Sequence, residues 1–224
     1  MMKKHKLITF LLIGFVCFSM IFIIYKTDNG HVLENNQNKN NEISVIRSSK
    51  VYLPFNEAVS DSKLVVKVEI IGKNSELDTN MENRMPKTIH DVKILDIYSG
   101  NLARDDNIKV IQDGVENILV DGVPIFKPGD TFIFMLDIAD LPNKTSDTYF
   151  IKKEYLLSKT STQALDLNFG DSNFKDIGVS KDKELNKKID TISENIFVDK
   201  ENISIIDTNE LIKSIKEVVE SEKE

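Results

Sequence analysis

The sequence predicts a mainly β body with C-terminal helices, an α+β arrangement, carried behind an N-terminal transmembrane helix. Three observations lead there. Residues 7–25 contain no charge. From residue 51 onward, short apolar runs alternate with turn residues and no helical segment lies between them. After residue 180 the apolar spacing changes to a helical period. The 224 residues divide accordingly: a cytoplasmic stub (1–6), a signal anchor (7–25), an Asn-rich tether (26–50), a β domain (51–170) and a helical region (171–224).

The anchor reads LITFLLIGFVCFSMIFIIY, from Leu7 through Gly14 and Cys17 to Tyr25. A helix of nineteen residues spans about 28 Å, close to the roughly 30 Å hydrocarbon core. Lys3, Lys4 and Lys6 precede it, and Lys26 and Asp28 follow. Basic flanks stay on the cytoplasmic side, so the N-terminus is expected inside and the body outside, in a single-pass cell-membrane protein. A cleavable signal peptide needs a shorter core and small residues before the cut, whereas Ile21, Phe22, Ile23, Ile24 and Tyr25 are bulky. Lipidation of Cys17 needs a small residue before it, and Val16 and Phe15 stand there. No face of the segment is polar, which disfavours a core helix.

Six asparagines lie between residues 27 and 50, and so polar a stretch buries too little to offset its ordering entropy. It is expected to be a flexible spacer, the alternative being a segment that folds on binding.

The body is then read strand by strand. Leu64, Val66, Val68 and Ile70 share one face of a first strand that Gly72 ends. Residues 88–98 form a second strand, in which a bulge near Leu95 and Asp96 returns Ile97 to the face of Val92 and Ile94. Residues 108–112 form a short third strand, ended by Asp113-Gly114, and Asp121-Gly122 makes a further turn. Lys127-Pro128-Gly129-Asp130 leads into Thr131, Phe132, Ile133, Phe134, Met135 and Leu136, apolar on both faces and therefore a central, doubly covered strand. Residues 149–152 and 154–158 read as two later strands. The expected architecture is a small antiparallel barrel or sandwich. Leu185, Ile189, Ile192 and Ile196 mark one C-terminal helix. A second opens on Asp207 as cap, with Glu210 three residues on and Ile206 and Leu211 placed as a hydrophobic staple. Its stripe continues through Ile215, Val218 and Val219. Both helices are expected to pack on the body, the alternative being a partner's groove.

The succession Val92-x-Ile94-x-x-Ile97-Tyr98-x-Gly100, Ile108-x-Val110 and Pro128-Gly129-Asp130-x-Phe132-x-Phe134-x-Leu136 resembles a pattern in membrane-anchored or secreted proteins of low-GC Gram-positive bacteria. More distantly it is similar to the OB-like barrel of the tissue inhibitor of metalloproteinases and netrin modules. The resemblance covers about residues 60–155 and implies an OB-like barrel. The body lacks the cysteines of those modules, so their inhibitory function does not carry over.

Charge sorts the possible partners. Residues 1–26 hold four bases and no acid, leaving 25 bases, 36 acids and a net −11 on the rest. An acidic body argues against nucleic acid, which needs a basic stripe. One cysteine excludes a disulfide scaffold and, since it is Cys17, leaves the body without a thiolate. Cys17 itself reads as a small apolar residue in lipid.

No metal or cofactor is expected. His90 stands alone, and a zinc site needs two or more convergent ligands. Asp166, Asn168 and Asp171 alternate oxygen ligands as a calcium loop does. Gly170 and Asp171 are in the wrong order, and Ile177 occupies the closing carboxylate position, so an Asx-rich turn is the reading adopted. No nucleophile motif, P-loop or dinucleotide fingerprint occurs. Paired carboxylates (Asp91 and Asp96, Asp105 and Asp106, Asp137 and Asp140) lie in polar, turn-like surroundings. The expectation is a non-catalytic, membrane-tethered module that binds a protein or peptide at the cell envelope through loops near residues 73–87 and 101–106. Two alternatives are a cell-envelope hydrolase using paired carboxylates and a subunit of a membrane assembly. The latter lacks a small-residue face in the anchor, since Phe18 follows Gly14 by four.

Overall fold

The protein is represented by a computed structural model, which describes residues 43–46, 53–77, 85–139, 147–167, 174, 176, 180, 182–195 and 203–223. The elements are β1 (Ser44–Ile46), α1 (Phe55–Ser60), β2 (Leu64–Leu77), β3 (Lys87–Ser99), β4 (Asn107–Val115), β5 (Ile118–Val120), β6 (Thr131–Ile138), β7 (Thr148–Leu157), β8 (Gln163–Asp166), α2 (Lys183–Asn195), β9 (Ile205–Asp207) and α3 (Thr208–Ser221). The fold is mainly β, with two of its helices near the C-terminus. The nine strands form one sheet in the order β1-β5-β4-β3-β2-β6-β7-β8-β9, and β4 also pairs with β7. The pairings therefore run in a closed circuit, β4-β3-β2-β6-β7 and back to β4.

The sheet is mixed, not purely antiparallel as expected. β1 runs parallel to β5, and β4 runs parallel to β7. A parallel pair cannot be joined by a tight hairpin. β4 and β7 meet through Lys109, Val110 and Ile111 against Thr148, Tyr149 and Phe150, a non-local match that alternation does not reveal.

β2 and β3 form a long, irregular pair. The register passes from Lys67 opposite Asp96 to Val68 opposite Ile94, so Leu95 is the extra residue. That bulge lies where the sequence placed one, and Ile97 packs with Val92 and Ile94. Further shifts leave Ile71 and Asn74 as extra residues on β2. Gly72 does not end the strand as expected: an added Cβ would meet nothing within 4 Å, and β2 continues to Leu77 opposite Lys87. Asp113-Gly114 likewise lies inside β4. Asp121 (φ 51°) and Gly122 (φ 69°) do form the left-handed turn that their sequence predicts.

Two apolar layers sandwich β6. Phe132, Phe134 and Leu136 face a core shared with β2, β3 and β4, and α2 adds Leu185 and Ile192 to it. Ile133 and Met135 face the other way, under Phe55, Ala58 and Val59 of α1 and Leu211 and Ile215 of α3. This is the doubly covered strand that the apolar run predicts. α1 and α3 also pack against each other. The two runs expected at residues 149–152 and 154–158 form one strand, β7, which ends at Leu157, one residue short of Ser158. A shift puts Met135 opposite Lys153 and Leu136 opposite Ile151, so Lys152 is the extra residue.

The last helix starts as its residues predict. The Asp207 carboxylate accepts hydrogen bonds from the Asn209 and Glu210 amides, and Ile206 and Leu211 lie in one buried cluster. Asp207→Ala is expected to lower unfolding stability by about 1 kcal/mol, within the range for lost N-caps, as a shift of the urea midpoint at unchanged slope. α2 is capped in the same way by Asp182, which accepts from the Glu184 amide at 2.8 Å; Ile196 lies outside the described residues.

Candidate functional site

No helix among the described residues is long and apolar enough to cross a membrane. Residues 7–25, with Leu7, Gly14, Cys17 and Tyr25, lie outside the described set. The range read as tether contains β1, whose three residues are exposed and pair with Ile118, Leu119 and Val120.

The two loop regions weighed for binding are built around the β2–β3 arm. Of residues 73–87, the structure describes 73–77 and 85–87. There Lys73 pairs with Glu76 and lies 4.0 Å from Glu116. Asn74, lifted out of register by its bulge, donates through Nδ2 to both Asp91 oxygens at 2.9 and 3.1 Å. Lys87 pairs with Asp113 and sits 5.6 Å from the centre of the Phe150 ring. At residues 101–106 the chain turns tightly. Gly100 has φ +113°, and Asp105, at φ 68°, takes a conformation that aspartate tolerates better than most residues. Asp105 is 2.6 Å from Lys93, whose hydrogen bond, and then charge, holds the carboxyl below its ordinary pKa. Asp106 accepts from the Ala103 amide at 2.8 Å.

The paired carboxylates each turn to a partner of their own. Asp91 takes Asn74, Asp96 takes Arg104 at 3.2 Å, Asp105 takes Lys93 and Asp106 takes a backbone amide. Asp137 takes Lys152 at 3.3 Å, while Asp140 is outside the described residues. General acid chemistry needs one carboxyl raised by burial, and the Asp105 carboxyl is held in the opposite direction.

Asp166 ends β8 and is buried, its backbone N–H donating to Ser204 O at 3.0 Å. Asn168 and Asp171 lie outside the described residues. Among the described residues no group of three or more His, Cys, Asp or Glu could hold a metal ion.

Sequence reasoning passed over a polar crevice between β6, β7 and α2. Its volume is ≈ 20 Å³, room for about one water. Lys188 of α2 reaches Asp130 at 2.6 Å. Ser158 donates to Asp182, Thr160 donates to the same carboxylate at 3.0 Å, and the Thr160 and Ser161 amides donate to Ser158 Oγ. The Ser158 hydroxyl, foremost, holds Asp182 below its ordinary pKa. These contacts fasten the start of α2 to the β7–β8 turn. The local signal was the Ser/Thr run at residues 158–162.

Two further groups fasten the body from within. Lys153 is buried and donates to Leu53 O at 3.3 Å, while Lys152 donates to Asp61 O at 2.8 Å, so β7 holds α1 from both ends. His90, which stands alone among the body's possible zinc ligands, is fully buried in β3 and lies with Nε2 3.0 Å from Gln112 Oε1. The signal was Gln112, a polar residue closing an apolar strand.

Comparison with models of known protein families, and with curated proteins, gives no match.

Proposed function

We propose that this chain is a membrane-tethered extracytoplasmic module that binds a protein or peptide at the cell envelope and is not an enzyme. The observation that carries the reading is the uncharged apolar segment at residues 7–25 behind Lys3, Lys4 and Lys6. On this reading the segment contacts the lipid bilayer and the acidic body lies outside, where a net −11 favours neutral or basic partners. The body is read as a five-stranded OB-like barrel. The closed circuit of pairings among β2, β3, β4, β6 and β7 supports this, as do the bulges that bend β2 and β3. In such barrels the loop between the first two strands is a binding loop; here it is the β2–β3 connection. The partner is expected at that loop and at residues 101–106.

Crosslinking in intact membranes tests the binding role. The full chain is compared with a version whose residues 101–106 are replaced by a Gly/Ser linker. A protein captured by the first and lost from the second supports the reading. Capture of no specific protein, or capture indifferent to the replacement, contradicts it.

A further inference from the structure

The two ring nitrogens of His90 meet different surroundings. Nε2 faces Gln112 Oε1. The same oxygen accepts the Phe126 amide at 3.0 Å, and Gln112 Nε2 donates to Pro124 O at 2.9 Å. Those two backbone partners set which end of the Gln112 amide is which. Oε1 is an acceptor, so neutral His90 carries its proton on Nε2. Nδ1 keeps its lone pair and is buried without a hydrogen-bond partner. Proton uptake would create an N–H at Nδ1 that points at no acceptor, a costly arrangement in an apolar interior.

The Gln112 amide also ties residues 124 and 126, within the link from β5 to β6 (residues 121–127), to the sheet, and the Asp121 amide ties the start of that link to Ile46 O of β1 at 2.8 Å. That link carries Val123 and Phe126 into the core. The Phe126 ring lies 5.2 Å from the His90 ring, 4.4 Å from Phe132 and 5.7 Å from Phe134. A change of charge on His90 therefore acts on the one side chain that holds the link by both its amide ends and on the ring that seals it.

We propose that His90, Gln112 and Phe126 form an acid-sensitive latch: proton uptake by His90 releases residues 121–127 while the flanking strands stay paired, opening the core beside Phe132 and Phe134. The latch is a property of the body and stands whether or not the chain is anchored.

The groups facing His90 come from each neighbouring element. β2 presents Lys73, directly opposite in register, β3 presents Asp91, β4 presents Gln112, and the link presents Phe126. Burial, foremost, holds the imidazole below its ordinary value of 6.5, and Lys73 acts in the same direction; the Gln112 hydrogen bond and Asp91 oppose them. A base depressed in the closed state binds its proton better once open. Opening thus gains as pH falls through about 6.5 and levels off below the closed-state value. Each unit of depression multiplies the open fraction by roughly ten. Asp105 and Asp182, whose carboxyls are held low, withdraw their support only below about 3.8, so the two windows are separate.

Hydrogen exchange of the full chain in detergent micelles, at pH 7.5 and 5.0 and corrected for intrinsic rates, tests the latch. Protection of residues 121–127 should fall at pH 5.0 by roughly tenfold per unit of depression, with residues 131–138 unchanged. His90→Gln keeps an amide donor and does not titrate, so it should abolish the effect. Unchanged protection in the wild type, an equal loss in His90→Gln, or joint loss across both stretches would overturn the proposal. Should that variant not fold, an NMR titration of the wild-type His90 ring decides. A value at or above 6.5 overturns the latch, and a lower one accompanied by shifts at Phe126 supports it.

Discussion

Phe134→Ala is expected to destabilise the body by about 3–5 kcal/mol, the range for a buried phenylalanine cut to alanine. Phe134 is 0% exposed and sits mid-strand in β6, opposite Val66 of β2 and Glu154 of β7. Its ring stacks on Phe132 at 4.9 Å and 14°. Hydrogen-bonded strands on both sides hold the backbone in place, so the cavity has little room to collapse, and the cost belongs at the upper end of the range. A natural domain has only about 5–15 kcal/mol to lose. Thermal unfolding reads the change, at roughly 2–4 °C per kcal/mol for a chain of this size. Ile138→Ala is the control. That side chain is 56% exposed, and its removal should change stability by less than about 0.5 kcal/mol.

Glycine substitutions should split by sign. Gly114→Ala is expected to cost about 1–3 kcal/mol from backbone strain alone, because Gly114 has φ +104°. Steric conflict adds to this: the new Cβ would stand 2.8 Å from Ile118 O and 3.3 Å from Val120 N, both backbone atoms of β5. The strand cannot give easily there, since Gly114 N donates to Pro86 O at 2.7 Å and Gly114 O accepts from Thr88 Oγ1 at 2.7 Å. Gly72→Ala meets no atom within 4 Å and needs no positive φ. It should be neutral or stabilise by up to about 1 kcal/mol through the unfolded chain. Denaturant midpoints for the two variants test this contrast, and equal losses would refute it.

What was readable in the sequence depended on how local its cause was. β6 was readable because apolar residues on both faces require cover on both faces, and two helices and an inner core supply it. The start of α3 was readable because its cap, staple and stripe lie within the fourteen residues from Ile206 to Val219. The bulge at Leu95 followed from one break in alternation. Gly72 misled because a glycine that ends a strand and one that tolerates a bulged, exposed arm look alike in one dimension. α1 has only 6 residues, fewer than two helical turns, so Phe55, Ala58 and Val59 showed no period. Lys153 split β7 into two readings, since a charge in an apolar run usually marks a turn, yet here it reaches the carbonyl of Leu53. The parallel meeting of β4 and β7 depends on residues about 40 apart and left no local trace.

The candidate site followed the same rule. Acidic and basic residues in the loops were visible, but their partners were not, because Asn74 with Asp91 and Lys93 with Asp105 meet only across folded backbone. Gln112 was visible as a polar residue in an apolar strand. Its role in joining His90 to residues 124 and 126 required the folded positions of all three.

Placement of the chain in the membrane, with the body outside, is tested directly by one measurement. The full chain carrying an epitope tag after Glu224 is expressed in bacteria, and intact cells are treated with protease before fractionation. The tag should sediment with membranes, resist alkaline extraction and be removed by external protease, and the untreated protein should keep the mass of all 224 residues. A tag that stays soluble, one shielded from external protease, or a mass short by about the first 25 residues would contradict an uncleaved anchor with the body outside.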